Sequence, residues 1–254
     1  MEILRVEGIS KHFGGVVAVE NFSMVQQENQ ITGIIGPNGA GKTTVFNLIT
    51  GATPVDHGSI LFMDREITKL PAHRRADQGI ARTFQNIRLF RNLSVLDNMK
   101  VAHDMKVVYT LWEEMLRLPR VGKQERRIDE KARHFLAYLG LERFGDQKPH
   151  NLPYGIQRRL ELARTLMTEP RILLLDEPAA GLNPHEVRSL MDTIRKIQED
   201  NALTIVIVEH HMELIMNICS LIHVLDFGKK IAEGEPAAIK ENEQVLQAYL
   251  GEEV

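Results

Sequence analysis

Cys219 is the lone cysteine of a 254-residue chain. Internal disulfides are excluded, so packing must hold the core, which suits a reducing compartment. Cys219 follows Ile218 in an apolar stretch and reads as core, not as a nucleophile. Long hydrophobic runs are also missing, since no stretch approaches the ~18 residues a membrane-spanning helix requires. Residues Met1 to Val6 lack the basic region and apolar stretch of a secretory leader, so a cytoplasmic location is expected. Basic charge is not in excess: 31 Lys and Arg face 34 Asp and Glu, a net charge of −3. That balance argues against a nucleic-acid partner. Internal repeats, low-complexity tracts and a second phosphate loop are likewise absent from the sequence. What remains is ordinary for a globular chain, with 43% hydrophobic and 26% charged residues.

Against this background one segment stands out. Gly36-Pro37-Asn38-Gly39-Ala40-Gly41-Lys42-Thr43 follows the phosphate-loop pattern, a glycine, four residues, then Gly-Lys-Thr. Ile31 to Ile35 leads in as a buried strand, and Thr43-Thr44-Val45 leads out as a helix. A strand running through glycines into a helix presents backbone N–H groups at the positive end of the helix dipole. Lys42 then reaches the outer phosphates, and the Thr43 hydroxyl is a ligand for Mg²⁺. The segment reads as a nucleoside triphosphate site.

The first third otherwise reads as strands. Leu4, Val6 and Ile9 alternate with polar residues, Val16 to Val19 and Phe22 to Val25 follow, and Gly58 to Met63 is another strand before a turn at Asp64-Arg65. From Asp104 to Pro149 the period becomes helical. Leu111, Trp112, Met115 and Leu116 form one apolar face and Ala132, Phe135, Leu136 and Leu139 another, with a loop expected at Pro119 to Lys123. Beyond Pro149, strands alternate with helices: a helix from Arg158 to Met167, a strand at Ile172 to Leu175, an amphipathic helix through Val187 to Ile197, and a strand at Thr204 to Val208. A hairpin closes around Asp226 to Lys229. This alternation predicts an α/β fold with a mostly parallel sheet.

The strand Ile172 to Leu175 ends in Asp176-Glu177-Pro178. Ligands of open α/β sheets bind at the carboxyl ends of the strands. Asp176 is therefore expected to hold the water shell of the Mg²⁺ that Thr43 ligates, and Glu177 to act as general base on the attacking water.

Further short motifs follow in order: Thr83-Phe84-Gln85-Asn86, Leu152-Pro153-Tyr154-Gly155-Ile156-Gln157-Arg158, Ala180-Gly181-Leu182-Asn183-Pro184 and Val208-Glu209-His210-His211. Together with the phosphate loop they resemble the nucleotide-binding subunit of an ATP-binding cassette transporter over almost the whole chain. The resemblance implies a P-loop NTPase core at 1–85 and 165–254 with an antiparallel β subdomain, and an α-helical insertion at 86–164 that ends on the signature segment. It also implies ATP as substrate, Gln85 as a further contact to Mg²⁺, and Phe13 as the face that stacks on adenine. His210 falls where the family holds the γ-phosphate, and Gly155 where it meets the ATP of a partner chain. On chemistry alone, Phe13 offers a flat stacking surface, Gln85 a neutral ligand that leaves the cation's charge intact, and Gly155 an N–H beside a helix.

Two positions depart from the family's pattern. The signature usually reads Leu-Ser-Gly-Gly-Gln, and Pro153 supplies neither hydroxyl nor N–H. Asn183 stands where aspartate is usual. Within the family, the Phe13-Gly14-Gly15 start, Arg82 to Asn86 and the long insertion look most like the longer ATPase of a branched-chain amino acid importer. Importers of urea or short amides, and lipid exporters, are the alternatives. That resemblance implies a second, different ATPase subunit, two transmembrane permease subunits and a periplasmic or surface binding protein. It implies a peripheral position on the cytoplasmic face of the membrane.

Overall fold

The computed structural model describes residues 1–103 and 119–250. They form two compact units, one of Met1–Gln85 with Arg171–Val254 and one of Asn86–Pro170.

The first unit carries both sheets. Strands β1 (Glu2–Phe13), β2 (Val16–Gln27), β4 (His57–Phe62) and β5 (Arg65–Glu66) form a four-stranded antiparallel sheet ordered β2-β1-β4-β5. Leu4 and Val6 of β1 face inward by alternation, and Ile9 joins them because the register shifts between Val6 and Ile9. The second sheet has six strands, ordered β10-β9-β3-β8-β7-β6. These are β3 (Ile31–Ile35), β6 (Ile80–Arg82), β7 (Ile172–Asp176), β8 (Thr204–Val208), β9 (Leu221–Asp226) and β10 (Lys229–Gly234). All pairings are parallel except β9 with β10. Every residue of β3, β7 and β8 is buried, the signature of a sheet covered on both faces. Helices α1 (Lys42–Thr50), α2 (Ala72–Asp77), α6 (Pro184–Asn201), α7 (Met212–Ile218), α8 (Pro236–Lys240) and α9 (Glu243–Leu250) belong to this unit. In α6, Val187, Leu190, Met191, Ile194 and Ile197 are the buried stripe that the sequence spacing predicts.

A shared core joins the two sheets through Phe22, Phe46 and Phe62, each at most 1% exposed. Burying such a ring stabilises by roughly 1.5–3 kcal/mol. Arg75 anchors the far end of α1. Its guanidinium donates to the carbonyls of Leu48 and Ile49, oxygens that the helix end leaves open, and of Leu70 and Thr68 in the loop before α2, all at 2.7 to 2.9 Å.

The second unit is helical, with α3 (Val95–His103), α4 (Pro119–Tyr138) and α5 (Tyr154–Leu166). Ala132, Leu136 and Leu139 are buried here. Lys100 on α3 pairs with Asp129 on α4 at 2.5 Å. The expected cluster of Leu111, Trp112, Met115 and Leu116 lies outside the described residues.

Three local expectations need correction. Pro119 to Lys123 is not a loop: Pro119 occupies the first position of α4, where a missing N–H costs nothing. The turn between β4 and β5 is Met63-Asp64, both with positive φ (50° and 60°), and Arg65 already pairs with Phe62. The later hairpin closes where it is expected, with Asp226 paired to Lys229 and Phe227-Gly228 at the turn. Helix α5 starts at Tyr154 rather than Arg158, so Gly155 lies within its first turn instead of ahead of it.

Candidate functional site

The phosphate loop is built by steric necessity. Gly36 leaves β3 with φ 149°, and a Cβ there would sit 2.0 Å from the Leu225 carbonyl oxygen. Gly41 has φ 98°, and its Cβ would meet the Ala18 oxygen at 2.4 Å. The loop is thus wedged between β9 and β2, and the Gly228 N–H, donating to the Ala40 oxygen at 3.1 Å, braces it from the β9–β10 turn. Gly41 caps α1 without any side-chain acceptor, so the N–H groups of the first turn are left to an anion. Pro37 and Ala40 are buried, whereas Asn38 and Gly39 face outward. Thr43 is exposed at the first turn of α1, and Thr44 is half-buried beside it. Lys42 is 5% exposed and folds back, with Nζ donating to the oxygens of Gly36 at 2.6 Å and Pro37 at 2.8 Å.

Strand β7 carries Asp176 to the edge of the sheet. Its Oδ2 accepts from Arg82 Nη2 at 2.6 Å, while Oδ1 is buried without a hydrogen-bond partner. A buried carboxylate oxygen left without a partner and an exposed threonine hydroxyl at the start of α1 are oxygen donors of the kind Mg²⁺ takes.

Glu177, one residue on, has φ 45°, a left-handed conformation that costs a non-glycine residue of order 1–3 kcal/mol. Its N–H donates to the Val208 oxygen at 2.8 Å, which fixes the bend. Glu177 Oε2 accepts from Gln85 Nε2 at 2.7 Å and lies 4.0 Å from His210 Nδ1. Three residues from separate segments therefore meet. Gln85 arrives through β6 and the Thr83 N–H, which bonds the Leu174 oxygen at 3.0 Å. His210 follows β8 with its side chain 56% exposed. His211 instead caps α7, its Nδ1 buried.

Phe13 ends β1 half exposed, with Lys11 Nζ 5.5 Å from its ring centre. It is not a core aromatic. Val16 and Val17 beside it are also exposed, and β2 then passes the phosphate loop at Ala18. In the helical unit, Pro153 caps α5 with no side-chain acceptor, and Gly155 follows Tyr154 in that first turn. Asn183 has a local physical role. Its side chain accepts from the N–H groups of His185 and Glu186, both at 3.0 Å, and Glu186 returns a bond to the Asn183 N–H. This capping box starts α6.

Two polar residues of the site escape sequence reasoning. The Arg82 guanidinium lies 5.6 Å from the Phe46 ring and 5.3 Å from Phe84, bonds Asn47 Oδ1 at 2.7 Å, and holds Asp176. Glu209 is completely buried beneath His210. Cys219 is buried, and desolvation pushes its thiol up to about 12, which removes it from nucleophilic chemistry. Among the described residues no helix is long and apolar enough to cross a membrane.

Comparison with known proteins yields consistent matches. The family profile described as ABC transporter matches residues 19–180. A profile described as branched-chain amino acid ATP-binding cassette transporter matches residues 229–254. The chain is 42% identical over 250 residues to the high-affinity branched-chain amino acid transport ATP-binding protein BraF of Pseudomonas aeruginosa, covering 98% of each. It is 41% identical over 250 residues to the corresponding protein LivG of Escherichia coli (strain K12), again covering 98% of each. The crystal structure of an ATP-binding cassette of an ABC transporter in its ADP conformation aligns with a TM-score of 0.86 at 30% identity, covering 99% of both chains.

Proposed function

The chain belongs to the ABC transporter family of ATP-binding cassettes, and from that premise we propose that it is the ATP-hydrolysing subunit of a branched-chain amino acid importer. The cargo follows from the relatives' names and from the family profile matched at residues 229–254. The observation that carries the hydrolytic reading is the meeting of Glu177, Gln85 and His210 at the carboxyl end of the parallel sheet.

In this reading the first-turn N–H groups of α1 receive the phosphates of ATP, and Lys42 leaves the Gly36 and Pro37 oxygens for the outer phosphates. Phe13 stacks on the adenine. Thr43, Gln85 and, through water, Asp176 would hold Mg²⁺, and the cation would supply charge neutralisation at the transferring phosphoryl group. Glu177 orients the attacking water and takes its proton, and His210 holds the γ-phosphate. Gly155 and the first turn of α5 face the ATP of a second, different ATPase subunit. The weakened signature at Pro153 supports an unlike partner, because it leaves this half of a composite site one donor short. Two permease subunits and a periplasmic or surface binding protein complete the assembly. This chain lies peripherally on the cytoplasmic face of the membrane, with no nucleic-acid partner.

The test is uptake by proteoliposomes containing the assembled transporter with ATP enclosed. Leucine, isoleucine or valine should enter, and Lys42→Ala should abolish both uptake and nucleotide binding by calorimetry. Uptake of urea or short amides in place of these amino acids would overturn the cargo, and unchanged nucleotide affinity would overturn the site.

A further inference from the structure

Glu209 follows β8 directly and has 0% exposure, an uncommon place for a carboxylate. Its oxygens are satisfied by backbone alone. Oε1 accepts from the Ala179 N–H at 2.7 Å, and Oε2 accepts from the N–H groups of His210 and His211, both at 3.0 Å. Among the described residues no lysine or arginine is ion-paired with it, and His210 Nδ1 lies 3.8 Å away. The carboxylate thus spans two loops. Ala179 lies in the segment from Glu177 to α6, and His210 belongs to the segment from β8 to α7. A second tie runs the same way, from the Glu177 N–H to the Val208 oxygen.

We propose that Glu209 is a positioning residue for ATP hydrolysis, locking the His210 backbone to the Ala179–Asn183 segment so that the two move as one body. The argument rests on the reading of His210 given above. Only a carboxylate presents acceptors on both sides. An amide keeps one oxygen and turns a second donor toward an N–H, leaving a buried donor unpaired. Misplacing a reacting group by roughly 1 Å costs about 10²-fold in rate. The bonds of the Glu209 carboxylate go to Ala179, His210 and His211 and none to the phosphate loop, so ATP binding itself should be spared.

The experiment is a double-mutant cycle in the assembled transporter, with wild type, Glu209→Gln, His210→Ala and the pair, reading kcat and KM for ATP. Glu209→Gln should lower kcat by about 10²-fold at unchanged KM. In the His210→Ala background it should add no further loss. Losses that multiply, or a raised KM with kcat intact, overturn the proposal while leaving His210 in place. Wild-type turnover by His210→Ala would instead remove the reading of His210, and this inference with it. Should Glu209→Gln fail to fold, hydrogen exchange on the wild-type chain decides. The Ala179, His210 and His211 amides should change protection together on ATP binding, and independent responses overturn the lock.

Discussion

Replacing Arg82 by alanine tests whether the buried pair at Asp176 is as tight as its geometry states. The Arg82 and Asp176 side chains are 8% and 4% exposed, and their contact is 2.6 Å. Without the guanidinium, Asp176 keeps a buried charge whose Oδ2 has lost its cation and whose Oδ1 has no partner. Breaking one side of a buried pair costs about 3–5 kcal/mol. For a chain of this size each kcal/mol moves the melting temperature by ~2–4 °C, so the drop should be roughly 6–20 °C. Arg82→Lys should recover only part of this, because an ammonium cannot fork between Asp176 and Asn47 or stack between Phe46 and Phe84. Adding Asp176→Asn to Arg82→Ala should relieve much of the loss, since no unpaired charge is then buried. Scanning calorimetry of the wild type, these three variants and Asp176→Asn alone is the assay. A drop under about 2 °C for Arg82→Ala, or strictly additive losses, would refute the reasoning.

Two more outcomes follow from local chemistry. Pro153→Ser should supply the missing cap of α5 and raise thermal stability by about 0.5–2 kcal/mol. Under the composite-site reading it should also tighten ATP-dependent association, by up to about tenfold, without changing this chain's own ATP affinity; sedimentation with ATP reads this, and a shift in that affinity alone would count against it. His223 is fully buried, and burial lowers its pKa from 6.5 to about 4, only partly opposed by the nearby Glu233 carboxylate. Between those values the unfolded chain binds a proton that the folded chain refuses, so stability is complete above 6.5 and falls as pH drops toward 4. The loss is at most about 3 kcal/mol at ~1.36 kcal/mol per pH unit. His223→Leu should flatten the denaturation midpoint over that window, and an unaltered slope would show that the acid sensitivity lies elsewhere.

The fold was legible where pattern and burial coincide. The continuous apolar runs of β3, β7 and β8 are buried along their whole length, and the stripe of α6 reads directly from its spacing. Legibility failed where backbone chemistry competes with composition. Pro119 resembles a breaker but starts a helix, and Met63 is an unlikely letter for a left-handed turn. The phosphate loop and the Asp176-Glu177 pair could be proposed from local order, because their spacing along one strand–loop–helix unit is itself the geometry. Arg82 and Glu209 could not. Arg82 meets Asp176 across 94 positions of sequence, and Glu209 reaches Ala179 across 30, so their partners appear only once β6, β7 and β8 lie side by side.

The central claim is that Glu177, bent out of β7 and held by Gln85, activates the attacking water. Single-turnover hydrolysis by the assembled transporter carrying Glu177→Gln, with ATP affinity measured in parallel, tests it most directly. The account predicts unchanged ATP affinity, a chemical step slowed by about 10²–10⁴-fold, and an ATP-bound dimer that persists. A chemical step near the wild-type rate, with ATP still bound, would contradict it.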